Sequence, residues 1–239
     1  VARELQRALS SEPGKAAYVR RLFDTIAGRY DLITRVLSYG QDQRWKARAI
    51  ALAGPRPGAA ALDLASGTGD LAFALGARGC RVVALDLTLR MLRLAAAKPA
   101  AARAMFVAGD MMSLPFPDAS FDIVTTGYGL RNVPRLETAI DEIRRVLRPG
   151  GVLVSLDFNR PEHRAVRAVY LTYLTLAGSL LGWLLHRDPD TYRYIPESIR
   201  RYPGAARVAA LLADRGFTDC TVVPLLGGLM AINTARRLR

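Results

Sequence analysis

Three acids and a pair of glycines carry the first chemical signal in this sequence. Asp63 lies in the apolar run AAALDL (59–64), just before the small-residue loop Ala65-Ser66-Gly67-Thr68-Gly69, and Asp70 then opens an apolar helical pattern. This reads as buried strand, tight turn, helix. Gly67 and Gly69 let the backbone turn sharply and let a ligand come close to the main chain. Asp86 ends the next apolar run, RVVALD, and Asp110 follows the third, AMFVAG. Open α/β sheets bind ligands beyond the carboxyl ends of their strands, so the loop and the acids rim one cofactor site. Two cofactor classes suit it. Residues 67–72 satisfy G-x-G-x-x-A, and Asp86 follows near the spacing of a ribose-binding acid, as in nicotinamide dinucleotide sites. Asp63, however, would oppose a pyrophosphate. It suits a cofactor with a cationic head, such as the ammonium and sulfonium of S-adenosylmethionine.

These residues need a frame, and the rest of the chain supplies its pattern. Residues 1 to about 14 read as a loose start ending in Pro13-Gly14. From Lys15 to Ala53 the pattern is helical, with Tyr18, Leu22, Ile26, Tyr30 and Ile33 near one face and Trp45, Ala49 and Leu52 on a second helix. Strands are expected at about 59–65, 81–86, 104–108, 121–126 and 152–158. Helices fall between them, and Arg148-Pro149-Gly150-Gly151 marks a strong stop. Residues 160–203 are mostly helical. A helix at 205–215 precedes two strands joined by Leu226-Gly227-Gly228 as a hairpin. The expected fold is α/β: a seven-stranded, mostly parallel, doubly wound sheet with a C-terminal antiparallel hairpin. A helical cover (1–53) precedes the sheet domain (54–239), and the insertion at about 160–203 covers the substrate.

Composition narrows the function classes. The 239 residues are 51% hydrophobic and 23% charged, which is globular. Cys80 and Cys220 are in no CxxC pairing, and His163 and His186 are the only histidines. No disulfide scaffold and no metal centre are expected. The N-terminus is polar and carries no secretory pattern, so a cytoplasmic protein is expected. The net charge of +13 is almost all arginine and is dispersed. It points to an anionic surface, nucleic acid or membrane. Val169 to Leu185 is strongly apolar and sits at the short limit for a spanning helix. It reads as a buried helix or one lying on a membrane surface. Trp45 and Trp183 read as core.

The runs LDLASGTGD, ALDLTLRML, AGDMMSLPFPDASFDIVTTGYGLRNV and RVLRPGG together resemble class I S-adenosylmethionine-dependent methyltransferases. FDTIAGRYDLITRVLSYGQDQRWK, GYGLRNV and DPDTYRYIPESIRRYP resemble, more closely, the quinone C-methyltransferases of ubiquinone and menaquinone biosynthesis. The resemblance covers roughly residues 19–234 and makes 54–239 the methyltransferase domain. It implies S-adenosylmethionine as cofactor, S-adenosylhomocysteine as product and no metal. It places Asp63, Gly67, Thr68, Gly69, Asp86, Leu87, Asp110, Met111 and Gly127 at the cofactor. LDFNRP and Gly127, which stands where some ubiquinone-type members carry serine, lean toward the menaquinone type. The reaction implied is C-methylation of a prenylated hydroquinone, demethylmenaquinol first and a benzoquinol second.

Such a transfer needs alignment of carbon, methyl and sulfur with water excluded. The ring carbon becomes nucleophilic when a neighbouring hydroxyl loses its proton, and a nearby cation favours that phenolate. Arg131 can supply the cation, and Asn132 can orient the ring oxygen or a relaying water. Arginine itself is too basic to serve as the base. Tyr30, Tyr128, Tyr192, Tyr194 and Ser198 match family positions that would line the substrate pocket. The implied partners are the quinol, an anionic membrane surface and a second copy of the chain. A peripheral position on the inner face of the cytoplasmic membrane follows from these. A nucleic-acid methyltransferase and a nicotinamide-dependent dehydrogenase are the rival readings. Against the first, Gly127-Tyr128-Gly129-Leu130 stands where base N-methylating enzymes use a D/N-P-P-Y/F turn, so nucleic acid is not expected as a partner.

Overall fold

A computed structural model describes residues 2–239. The sheet forms because its central strands are near-continuous apolar runs, and both faces find cover. Its seven strands are β1 (Ala60–Leu64), β2 (Arg81–Asp86), β3 (Met105–Ala108), β4 (Phe121–Gly127), β5 (Leu147–Phe158), β6 (Phe217–Leu225) and β7 (Met230–Arg237), in the order β3-β2-β1-β4-β5-β7-β6. The first five strands run parallel, while β7 is antiparallel to both β5 and β6. The closing hairpin therefore folds back so that its second strand, not its first, docks on the sheet.

Leu62, Leu64 and Val124 face one core layer with Ile140, Ile143 and Leu153. Ala61, Ile123 and Val154 face the other, with Trp45, Ile50 and Leu75. The first layer is closed by α7 (Leu136–Val146) and α10 (Ala205–Asp214); α5 (Asp70–Gly76) and α6 (Leu89–Ala96) follow β1 and β2. The stop signal at Arg148–Gly151 does end α7, but no loop follows. Strand β5 begins at once at Leu147 and runs through the Pro-Gly-Gly segment.

The N-terminal cover is more ordered than its composition suggests. Instead of a loose start there is a short helix, α1 (Ala2–Ala8), and Leu5 and Leu9 bury themselves against Val19 and Tyr194. Pro13-Gly14 is no break either. Ser11 caps α2 (Glu12–Ile26) by accepting the Gly14 amide at 3.2 Å, and proline fits the first helical turn. The stripe expected through Tyr18 to Ile33 is split. A 3-10 turn at Ala27–Arg29 separates α2 from α3 (Tyr30–Leu37), which redirects Tyr30. In α4 (Asp42–Ala53), Trp45 and Ala49 are buried as expected, but Leu52 faces outward and Lys46 takes an inward position.

All three lysines of the chain, 15, 46 and 98, connect this cover to the sheet body. Lys15 donates to the carbonyl oxygens of Val133 (2.5 Å) and Arg131 (3.3 Å). Lys46 pairs with Asp70 at 2.8 Å, and Lys98 pairs with Asp31 of α3 at 2.9 Å.

The insertion holds α8 (Arg164–His186) and α9 (Tyr194–Arg201). Gly178 and Gly182 lie on the inner face of α8. A Cβ at Gly178 would stand 3.2 Å from the Tyr192 Cβ, and one at Gly182 would collide with the Asp188 carbonyl. The chain reverses against the helix at that point. Trp183, expected in the core, is instead 60% exposed. Cover and insertion meet over the carboxyl ends of β1, β2, β4 and β5.

Candidate active site

The glycine loop bends as its composition requires. Gly67 (φ 53°) and Gly69 (φ 91°) occupy the left-handed region, and the Phe73 ring lies 2.6 Å from where a Gly69 Cβ would stand. Asp86, at the end of β2, holds the loop: one carboxylate oxygen accepts the Gly67 amide at 2.8 Å and the other the Thr88 amide at 2.7 Å. Burial raises its pKa, and these two amides pull the other way. Asp110 accepts the Met112 amide at 2.9 Å.

Gly67, Asp86, Leu87, Asp110, Met111 and Gly127 all border one cavity of about 730 Å3, which Tyr30, Tyr128 and Asn132 also line. A Cβ on Gly127 would come within 3.1 Å of Leu71 Cδ1, so a side chain here would crowd the wall between strand and helix.

Two of the loop-side residues point elsewhere. Thr68 donates its hydroxyl to Asp31 at 2.5 Å, tying the loop to the cover. Asp63 does not face this cavity. Its oxygens accept Thr125 Oγ1 (2.7 Å) and the Ala72 amide (3.1 Å), and burial pushes its pKa up to about 7. It borders a smaller cleft with Lys46, Thr68 and Asp70. The carboxylate is thus first a brace between β1, β4 and α5. Gly69 shapes the bend and precedes α5 without bordering the larger cavity.

A second cavity, about 890 Å3 and almost wholly apolar, lies between cover and insertion. Tyr30, Phe23 and Tyr128 border both cavities and so stand between them. Tyr192 and Tyr194 line its wall with Trp45, Phe158 and Tyr170. Among the described residues, Arg131 is its one charged lining residue. This arginine follows β4 in the 3-10 turn Leu130–Asn132 and is 5% exposed.

Its support is dense. The Arg131 amide and Nε donate to the two oxygens of Asp157, at 3.1 and 3.3 Å, while Nη1 donates to the Ser198 hydroxyl. The guanidinium lies 5.1 Å from the Phe158 ring centroid and 5.9 Å from that of Tyr194, within cation–π range. Burial raises the Asp157 pKa while Arg131 opposes the shift. Lys15 clamps the same turn through its carbonyls. Burial and the nearby arginines push its ammonium down to about 8.

Asn132 donates to the Tyr128 carbonyl at 2.7 Å, and its Oδ1 is buried with no partner among the described residues. A buried amide oxygen without a donor is costly, and Asn132 borders the acid-rimmed cavity. A ligand donor there would satisfy it.

Two expectations change. Ser198 does not line the apolar cavity; it sits behind Arg131, 3% exposed, accepting from the guanidinium and donating to the Ile195 carbonyl at 2.8 Å. Tyr128 borders both cavities, but its hydroxyl is committed to Asp42 at 2.5 Å. Sequence reasoning missed Asp157, Asp42 and Lys46. Asp157 had a readable signal, since it lies near the carboxyl end of a strand, as Asp86 does. Asp42 and Lys46 look like the polar face of an ordinary helix, and only the packed tyrosine reveals them.

Residues 12–237 match the ubiE/COQ5 methyltransferase family. A "Ubiquinone/menaquinone biosynthesis C-methyltransferase UbiE" of Ectopseudomonas mendocina is 40% identical, over 93% of this chain and 90% of its own length. A "Demethylmenaquinone methyltransferase" of Parafrankia sp. is 41% identical, over 93% of this chain and 95% of its own. In fold alone, a SAM-dependent methyltransferase of Thermotoga maritima superposes with a TM-score of 0.67 at 17% identity, covering 92% of this chain and 99% of that one.

Proposed function

The chain belongs to the ubiE/COQ5 methyltransferase family, and from that membership we propose the roles of its two cavities. The enzyme is an S-adenosylmethionine-dependent C-methyltransferase acting on a quinone ring. The acid-rimmed cavity is the cofactor site, and the apolar one takes the ring and the start of the prenyl tail of a quinol. When bound, S-adenosylmethionine supplies an electrophilic methyl group. The chain's own residues do the rest. Asp86 is held by two amides with its carboxylate at the cavity wall, suited to ribose hydroxyls. Asp110, with Leu87 and Met111 beside it, suits the adenine. The free Asn132 oxygen suits a cationic or hydroxyl donor.

The observation that carries the reading is Arg131: a fixed, buried cation in an otherwise apolar cavity that adjoins the cofactor cavity across Tyr30 and Tyr128. A phenolate in so apolar a place needs that charge beside it. The same walls exclude water and hold the ring carbon toward the cofactor side. A naphthoquinol is the favoured substrate, because the aromatic lining of the apolar cavity is broad. A benzoquinol is the second choice. The acid-rimmed cavity would also admit a dinucleotide, so heat stabilisation decides the cofactor. S-adenosylhomocysteine should raise the melting temperature and NAD should not; the reverse would return the dehydrogenase reading.

The insertion supports a peripheral membrane position. Helix α8 is long and apolar enough to cross a bilayer, yet one face is packed on the protein. Its other face exposes Val169, Leu176, Leu180, Trp183 and Leu184, between Arg164 and Arg187 at its ends. Tyr39 and Leu226, at the rim of the apolar cavity, are exposed beside it. We assign this face to an anionic bilayer, from which a prenylated ring could enter the cavity directly. In flotation with anionic liposomes the chain should co-migrate in a salt-sensitive way, and Leu180→Glu with Trp183→Glu should abolish this without lowering the melting temperature. A double variant that floats normally would remove the assignment. A variant that merely turns a dimer into a monomer would make the face a contact between two copies.

A further inference from the structure

Methylation of a hydroquinone ring releases one proton into a cavity with no carboxylate in its lining. The ring carbon's electron pair forms the new carbon–carbon bond. The carbon–sulfur pair returns to sulfur, and the ring C–H pair returns to the ring as its proton departs. That proton must reach water. Arg131 cannot take it, because a guanidinium is always charged. Asp157, behind Arg131, is fully buried and accepts three donors: the Arg131 amide, Arg131 Nε and the Phe158 amide. Asp86 and Asp110 face the other cavity.

One carboxylate remains in contact with the lining, Asp42 at the start of α4. It is 5% exposed, and the Tyr128 hydroxyl donates to its Oδ1 at 2.5 Å. Lys46 Nζ lies 2.5 Å from its Oδ2 and 2.8 Å from Asp70. Asp70 is reached in turn by Gln43 at 2.9 Å. Asp42, Lys46 and Asp70 together line a separate, polar surface cleft. A continuous chain of hydrogen-bonding groups therefore runs from cavity wall to solvent.

We propose that Tyr128 and Asp42 form the route by which the proton released on ring methylation leaves the apolar cavity. The proposal rests on the quinol reading above. The Tyr128 oxygen takes the proton from the ring or from a water beside it while its own hydroxyl proton passes to Asp42. Asp42 then yields it to water in the cleft. Lys46 and Asp70 are positioning residues. Lys46 holds the Asp42 carboxylate in place beside the tyrosine hydroxyl, and Asp70 keeps Lys46 in place. Burial works against the lysine's charge, but Asp42 and Asp70 outweigh it and hold the ammonium above its ordinary range. Burial next to Asp42 also keeps the Tyr128 phenol well above its ordinary pKa, so it passes a proton on rather than standing ionised. A purely structural reading has to explain why a buried ion pair, a weak stabiliser at best, is aimed at a hydroxyl in the cavity wall.

The test uses the whole enzyme, reduced demethylmenaquinone and the same quinol deuterated at the ring carbon that receives the methyl group. Tyr128→Phe and Asp42→Asn should each lower kcat about tenfold or more, with S-adenosylhomocysteine affinity and melting temperature retained. Deuterium should slow both variants and leave the wild type unaffected, because proton removal has become limiting. The double variant should be no worse than either single one. Asparagine still accepts the tyrosine's hydrogen bond, so a merely structural tether predicts full activity for Asp42→Asn. Full activity, or slow variants with no sensitivity to deuterium, would overturn the proposal. Should Asp42→Asn melt early, Tyr128→Phe decides alone. A wild type that methylates no quinol would fail the functional reading itself, which is a separate outcome.

Discussion

Arg131→Ala should reduce quinol methylation by about 10²–10³-fold, the loss typical of removing one preorganised group that stabilises developing negative charge. Its affinity for S-adenosylhomocysteine should stay near that of the wild type, because Arg131 borders the apolar cavity and not the acid-rimmed one. The variant also strips Asp157 of its cation, and an uncompensated buried carboxylate costs about 3–5 kcal/mol. Stability and chemistry therefore have to be separated. Arg131→Gln combined with Asp157→Asn removes both charges, so it should recover most of the lost stability and none of the turnover. Steady-state kinetics, calorimetric titration and thermal melting read the three quantities. Recovered turnover in the neutral pair would show that the guanidinium only props up the fold. Loss of cofactor affinity in Arg131→Ala would mean that the two cavities have been given the wrong ligands.

Asp86→Ala is the complementary case. Its carboxylate is the shared acceptor for the Gly67 and Thr88 amides, so its loss unties the glycine loop and also removes the group assigned to the ribose. Hydrogen bonds to a charged group are worth about 1.5–3 kcal/mol each. Cofactor affinity should accordingly fall by about 10²-fold. At a S-adenosylhomocysteine concentration about 100 times the wild-type Kd, the wild type gains roughly 2.7 kcal/mol of stability, and Asp86→Ala should gain only about 0.4 kcal/mol. With the cofactor raised to saturation, turnover should largely return, since Asp86 does not touch the apolar cavity. If saturation restores nothing, Asp86 acts on the chemistry and its assignment as a cofactor ligand is wrong.

The cofactor half of this enzyme was legible because its signals are local. A strand, two glycines and an acid at the end of the next strand sit within a single βαβ unit, and the backbone can realise them in few ways. Hence β1, β2, Gly67 and Asp86 lie where their pattern indicates. The substrate half is built from contacts far apart in the chain, and single residues there were misplaced. Ser198 carries a family-matched position, but its hydroxyl serves Arg131 from behind. On the cofactor side Asp63 also departs from its pattern, since its carboxylate is spent on Thr125 and Ala72.

Helical periodicity has the same limit. It showed that α4 and α8 are helices but not which side each buries. Leu52 and Trp183 are exposed although apolar: α4 turns Lys46 inward to Asp70, and α8 presents one apolar side outward. The short helix α1 was invisible, since a seven-residue helix has little propensity signal and depends on its packing against Tyr194.

Methyl transfer to a quinol ring, with the naphthoquinol preferred, is tested most directly by a parallel incubation of the purified chain and labelled S-adenosylmethionine with reduced demethylmenaquinone and with the reduced benzoquinone precursor. Mass and NMR analysis should find one methyl group on a ring carbon, S-adenosylhomocysteine in equal amount, and faster turnover of the naphthoquinol. Label on oxygen, or no labelled product from either quinol, would contradict methylation of the ring.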